Sequence, residues 1–370
     1  MSAGSRARTA RRIAIAAAYG GGGLGALAGS TVALLWAEAK LARRQIGEPT
    51  EAAPDAERTY GADHPGAPLA LVLLGDSGAA GIGVATPAET PGAHLAGGLA
   101  EVAERPVRLR VTARSGARSA DLDAQIDTAL SATTLPTEAV PHRPGDPQAG
   151  PAHRPDVAVI MIGTNDVTHR VPAATSLRHL EAAVRRLRAA GAEVVVGTCP
   201  DLGTVEPIAQ PLRTIARRAS RQLAAGQTIA VVEAGGRTVS LGDLLGPEFA
   251  AAAGTMFGPD RFHPSPEGYA AAAAALLPAV AGALGYWPEE AGDAVAGPAI
   301  PVAVAAAAAA ASPGSEVAGA HRGGAERGPQ GRWARLRPRR RRTAAPGLAT
   351  ETSTPSNPSA AALPGARAEA

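Results

Sequence analysis

Three short polar segments of this chain hold the residue types of acyl-transfer chemistry. Ser77 stands in Gly75-Asp76-Ser77, directly after the apolar run Leu71-Val72-Leu73-Leu74. A serine hydroxyl is a poor nucleophile until a base takes its proton, and that base works best when a third group orients it. Asp260-Arg261-Phe262-His263 offers both partners, with carboxylate and imidazole three residues apart. At that spacing Asp260 can fix one tautomer of His263 while the other ring nitrogen faces Ser77. Acyl transfer also needs hydrogen-bond donors for the oxyanion. The candidates are the backbone N–H of Ser77, Gly116 in Arg114-Ser115-Gly116-Ala117, and the side-chain amide of Asn165 in Gly163-Thr164-Asn165-Asp166.

The elements around these segments place them on one edge. Ala70–Leu74 is a continuous apolar run, the pattern of a strand buried on both faces. Further strands are expected at Val107–Thr112, Asp156–Ile162, Glu193–Thr198 and Thr228–Val232. Helices are expected between and after them, at Pro91–Glu104, Ser119–Ser131, Ala174–Ala190, Pro207–Ala225 and Pro264–Leu284. Leu177, Leu180, Val184 and Leu187 show the helical spacing most clearly. Thr134–Pro155, dense in Pro, Gly and His, reads as an irregular insertion. Strands alternating with helices imply an α/β fold, a three-layer α/β/α sandwich around a parallel sheet. Five strands suggest a flavodoxin-like order, 2-1-3-4-5, with ligands at the carboxyl ends of the strands.

Gly75-Asp76-Ser77, Gly116, Gly163-Thr164-Asn165-Asp166 and Asp260-x-x-His263 together resemble the four motif blocks of the SGNH/GDSL hydrolases, in the same order. Members of that family are esterases, lipases, thioesterases and carbohydrate acetyl esterases on a flavodoxin-like sandwich. The resemblance covers about Ala67 to Leu284. It implies Ser77 as nucleophile, His263 as base and Asp260 as the group orienting it. It also implies Gly116 N–H and the Asn165 amide beside Ser77 N–H in the oxyanion hole. Gly78 stands where many members carry leucine, and the second block rests on its position and a Ser-Gly pair. The expected activity is hydrolysis of a carboxylic ester through an acyl-enzyme on Ser77, with no metal or organic cofactor. Acyl transfer or deacetylation of an envelope carbohydrate would use the same site. A catalytically idle, envelope-binding module is the alternative outside enzymes.

Other polar residues suggest less. Cys199, the single cysteine, excludes an intrachain disulfide and reads as a small buried hydrophobe at a strand end. His142 and His153 fall in the insertion, His169 near the third block, and His94 and His179 on helices, none with an evident role.

Composition bounds the rest. Hydrophobic residues make up 45% of the 370, enough for a core, and the net charge is +3 with basic residues concentrated at the two ends, so no nucleic-acid footprint is expected. Arg6, Arg8, Arg11 and Arg12 precede an uncharged stretch, Ile13–Ala37, long enough to cross a bilayer. Residues 1–44 therefore read as a signal or anchor segment. A retained anchor with the catalytic domain outside is the favoured reading, and cleavage after a small-x-small site is the competing one. Residues 45–66 read as a linker, 67–288 as the hydrolase domain, and 289–370 as a disordered Ala/Pro/Arg-rich tail holding the arginine cluster Arg332–Arg342.

Overall fold

Val72 and Leu74 point to one side of a sheet and Leu69, Leu71 and Leu73 to the other, and both sets are buried. A strand covered on both faces is what an unbroken apolar run requires. The computed structural model describes residues 34–35, 37–41, 44, 52–131, 154–242, 252–287, 298–312, 314–320 and 333–337. In chain order the elements that matter are β1 (Thr59–Tyr60), β2 (Leu69–Gly75), α1 (Ser77–Ala80), α2 (Pro91–Ala103), β3 (Val107–Val111), α3 (Leu122–Leu130) and β4 (Val157–Met161). There follow α4 (Thr164–Thr168), α5 (Ala173–Ala189), β5 (Glu193–Gly197), α6 (Leu212–Glu233), β6 (Arg237–Val239), α7 (Ala253–Met256) and α8 (Pro266–Ala283). The last are β7 (Ile300–Pro301), α9 (Val302–Ala309), β8 (Glu316–Gly319) and β9 (Trp333–Arg337).

The sheet centre is five parallel strands in the order β3-β2-β4-β5-β6. Counted among the parallel strands this is 2-1-3-4-5, the expected flavodoxin-like order. Side chains alternate strictly across it. Leu71, Leu73, Val157, Val159 and Val195 pack with α2 and α8, while Val72, Leu74, Ala158, Ile160, Val194 and Val196 pack with α3, α5 and α6. Two helix layers thus cover the two faces of the central strands.

The structure corrects the sequence reading in three places. Thr228–Val232 is not a strand but the last stretch of α6, and the fifth parallel strand is β6, Arg237–Val239. The β-branched residues misled because Leu223, Ala224, Gln227, Thr228 and Val231 recur at three- and four-residue intervals, so they bury one helical face. Tertiary packing then overrides their low helix propensity.

The expected linker also differs over its described residues, 52–66. β1 pairs antiparallel with β3, Ala56 is buried, and Glu57 Oε1 accepts the Val111 N–H at 2.8 Å. The third correction falls in the expected tail. β8 pairs antiparallel with β6, and β9 and β7 extend the same sheet. Alanine serves here as a core residue: Val302, Ala305, Ala309, Val317 and Ala334 pack on Val232 of α6. Trp333–Arg337 uses its small and apolar members, Ala334 and Leu336, for this contact.

Most of the apolar stretch Ile13–Ala37, the insertion, and the rest of the tail lie outside the described residues. Among the described residues no helix is long and apolar enough to cross a membrane.

If the C-terminal strands belong to the fold, trimming their core must cost stability. Val317 is fully buried, so Val317→Ala is predicted to lower the unfolding free energy by about 1–3 kcal/mol in urea titrations. A change under about 0.5 kcal/mol, typical of solvated positions, would remove this segment from the cooperative unit.

Candidate active site

The carboxyl ends of β3, β2 and β4 are neighbours, and each leads into one of the expected site segments. β2 ends at Gly75, with φ of +139°, where a Cβ would lie 1.9 Å from the Met161 carbonyl oxygen. Only glycine can make this exit. Asp76 follows in extended conformation and caps α1, its Oδ1 accepting the Gly78 N–H at 3.0 Å. Ser77 is therefore the first residue of a one-turn helix at the sheet edge.

His263 arrives from the opposite side of the chain. It lies in the turn between α7 and α8, which is closed by the Gly258 N–H to the His263 carbonyl at 2.8 Å. Ser265 then caps α8 by accepting the Gly268 N–H at 3.1 Å. His263 Nε2 lies 3.0 Å from Ser77 Oγ, and its Nδ1 lies 2.6 Å from Asp260 Oδ2. Asp260 Oδ1 accepts two further bonds, from the Phe262 N–H at 2.9 Å and the His263 N–H at 3.0 Å. The Phe262 ring meets the imidazole edge-on at 4.9 Å between centroids. Ser77 and His263 are both buried, at 8% and 5% exposure.

The charge state of Asp260 fixes the tautomer. Burial works against its charge, but the bonds from His263 and the Phe262 N–H outweigh it and hold the carboxyl below the usual carboxylate range. An ionised Asp260 can only accept, so Nδ1 carries the proton and Nε2 presents a lone pair to the Ser77 hydroxyl. The arrangement can deprotonate a serine and stabilise the resulting imidazolium.

The segments that carry the expected oxyanion donors adjoin one another. Arg114 N–H binds the Gly75 carbonyl at 3.1 Å, which roots the turn carrying Gly116 beside the Ser77 turn. Gly116 itself is exposed, with φ of +77° and open space where a side chain would be. Asn165, the second residue of α4, gives one amide hydrogen to the Ala117 carbonyl at 3.0 Å. The side-chain amide carries two hydrogens, so one remains after this bond.

Three buried polar residues not assigned from sequence hold this edge. Asp166 accepts the Ser119 N–H at 3.1 Å, Ser119 Oγ at 3.0 Å and Ser176 Oγ at 2.8 Å. Gln125 brackets Gly75, accepting its N–H and donating to its carbonyl, both at 2.8 Å. Gln227 accepts the Cys199 N–H at 2.7 Å and donates to the Ile162 carbonyl at 2.9 Å. Their trace was visible: Gln125 interrupts the apolar stripe Leu122, Ile126, Ala129, and Gln227 the stripe Leu223, Ala224, Val231.

Cys199 is buried, and burial pushes its thiol well up, in keeping with a packing role. His169 and His179 are exposed, and His169 Nδ1 lies 2.9 Å from the Asn165 carbonyl. His94 is half-buried on α2, and His142 and His153 lie outside the described residues. Asp201, buried, pairs with Arg217 and Arg221.

The sequence pattern of the GDSL-like lipase/acylhydrolase family matches residues 73–271, more than half of the chain and inclusive of all four motif blocks. The chain belongs to this family. A GDSL-like esterase of Mycobacterium tuberculosis is 44% identical over 214 residues, which are 58% of this chain and 62% of the relative. The aligned region thus spans less than two thirds of that relative's length. Similar solved structures include the lipase/acylhydrolase of Enterococcus faecalis, 17% identical with a TM-score of 0.40, covering 58% of this chain and 96% of the other. A variant of an acetyl xylan esterase from Geobacillus stearothermophilus is 21% identical with a TM-score of 0.38, covering 60% and 96% respectively.

Asp76 gives this edge a pH signature. Burial raises its carboxyl from 3.8 to about 7, against the lowering effects of the Gly78 N–H and His263. Between those values the folded state holds the Asp76 proton more tightly than the unfolded chain does. Its contribution to stability is therefore full below about pH 4 and is lost as pH rises through about 7. The stability difference, wild type minus Asp76→Asn, is predicted to fall across that window in urea titrations. A difference that stays flat with pH would show that Asp76 does not titrate there.

Proposed function

We propose that this GDSL-family chain is a serine esterase that cleaves carboxylic esters through an acyl-enzyme on Ser77. The observation that carries this reading is the continuous contact Ser77–His263–Asp260, at 3.0 and 2.6 Å, with Ser77 and His263 buried. His263 Nε2 takes the hydroxyl proton as Ser77 Oγ attacks the ester carbonyl, and the carbonyl electrons move to its oxygen. Asp260 offsets the positive charge then carried by the imidazole. The Ser77 and Gly116 N–H groups and the free Asn165 amide hydrogen would receive the oxyanion. Collapse of the intermediate expels the alkoxide, which leaves as the alcohol with the proton from His263. Water, deprotonated by the same ring, then attacks the acyl-enzyme and releases the acid. The family and the esterase relative support this assignment.

We further propose that residues 1–44 tether the catalytic domain to a membrane, with that domain on the outer side. The support is compositional: the uncharged stretch Ile13–Ala37 behind four arginines.

Ser77→Ala and His263→Ala are predicted to abolish p-nitrophenyl ester turnover while remaining folded, and a fluorophosphonate should label wild type but not Ser77→Ala. Hydrolysis by Ser77→Ala at the wild-type rate would sink the mechanism. Asn165→Ala should lower kcat by roughly 10²–10³, with little change in KM, because its bond strengthens only as the oxyanion forms. An unchanged kcat would take Asn165 out of the site. For the tether, alkaline carbonate washing of membranes should leave the full-length protein in the pellet. An intact N-terminus in the soluble fraction would refute it.

A further inference from the structure

β3 stops pairing with β2 at Val111 opposite Leu73; beyond it the chain still donates Thr112 N–H to the Leu73 carbonyl at 2.9 Å and Arg114 N–H to the Gly75 carbonyl at 3.1 Å. The N–H of the buried Gly75 on this edge of β2 goes to a side chain and not to a backbone carbonyl. The Gln125 side chain supplies the acceptor that β3 no longer provides there and adds a second donor to the Gly75 carbonyl. Projecting from α3 at 2% exposure, it accepts the Gly75 N–H and donates to the Gly75 carbonyl, both at 2.8 Å. A primary amide reproduces the donor and acceptor of a peptide group, so the bracket is fully matched.

Two functional segments hang from this one residue. Gly75 is two residues before Ser77, and its carbonyl also accepts the Arg114 N–H at the root of the turn bearing Gly116. The nucleophile and one expected oxyanion donor are thus registered through the same peptide that Gln125 grips. We infer that Gln125 is a positioning residue for the reaction, one that sets the distance between Ser77 and the Gly116 donor. This rests on the serine-esterase reading above. Gln125 touches neither substrate nor reacting atoms, so it acts only through the Gly75 backbone. Its effect should fall on transition-state binding, since a displacement of about 1 Å between reacting groups can cost roughly 100-fold in rate.

The test uses the full chain with Gln125→Met, Gln125→Glu and, in parallel, Ser77→Ala. Methionine keeps the shape of glutamine and loses both bonds. It is predicted to lower kcat by roughly 10–100-fold with KM nearly unchanged. The inhibition constant of phenylboronic acid, which forms a tetrahedral adduct on the serine, should rise by the same factor. Glutamate gives a reading that mere loss of stability would not. Protonated, its O–H can donate to the Gly75 carbonyl while its C=O accepts the Gly75 N–H; ionised, it can only accept. Burial favours the protonated form. The acids tied to the same backbone are Asp76 next to Gly75, itself held toward its neutral form, and Asp166 of α4, which accepts from the Ser119 turn leading into α3.

The ratio of kcat for Gln125→Glu to kcat for wild type should therefore start near one in mildly acidic buffer and fall as pH rises. Wild-type kcat and boronate affinity in the folded Gln125 variants, with a flat pH ratio and only a lower urea midpoint, would overturn the inference. If Gln125→Met fails to fold, the pH ratio of Gln125→Glu decides alone. Turnover by Ser77→Ala in the same assay would instead overturn the reading on which the inference rests. Inactive Ser77→Ala beside fully active Gln125 variants would overturn the inference by itself.

Discussion

The site depends on how a strand buried on both faces can release a serine to solvent. β2 has neighbours on each side and helices above and below, so its chain can leave only at its carboxyl end. At Gly75 it turns so tightly over β4 that any side chain would collide with the Met161 carbonyl. The same carbonyl then accepts the Asp76 N–H at 3.1 Å, so the turn is pinned one residue before Ser77. β4 meets a related constraint at Gly163, with φ of +136°, where a Cβ would come within 2.9 Å of Cys199 Cβ. Two glycine exits at adjacent strand ends therefore put Ser77 and Asn165 on one edge. Helix-borne amides from Gln125 and Gln227 satisfy the backbone groups that the splaying strands leave behind.

Two carboxylates near Ser77 are driven to opposite behaviour by their surroundings. Asp76, on the same turn as Ser77, is desolvated and held toward the neutral form. Asp260, half open and bonded by His263 and two backbone N–H groups, stays ionised. Environments that push paired acids apart in this way assign roles without reference to the substrate. The charge that can support an imidazolium is on Asp260, while Asp76 caps α1 and adds no firm charge beside Ser77 in acid.

The parallel core and the triad spacing were legible because each depends on local pattern. Unbroken apolar runs marked the buried strands, and Asp260 and His263 share one turn, so their contact needs no knowledge of the rest of the fold. Ser77 meeting His263 across 186 residues was legible only through topology: both sit where strands end or a final helix begins. The misread strand at Thr228–Val232 shows the limit. Five β-branched or small residues look like a strand until the helical stripe reaching back to Leu223 is counted with them. The C-terminal strands escaped for another reason. Alanine and arginine are poor indicators of a core, and Ala305, Ala309 and Ala334 are buried only because α6 offers Val232 as a neighbour. Gln125 and Gln227 interrupted apolar stripes, yet what they bind became evident only with the strand ends in place.

Direct capture of the intermediate tests the central claim most closely. The full chain would be mixed with p-nitrophenyl acetate for a time shorter than one turnover, quenched in acid, digested and analysed by mass spectrometry. The account predicts one acetyl group on the peptide carrying Ser77, appearing with the burst of nitrophenol and absent from His263→Ala. Acetylation at another residue in step with turnover, or a full burst with Ser77 unmodified, would contradict it.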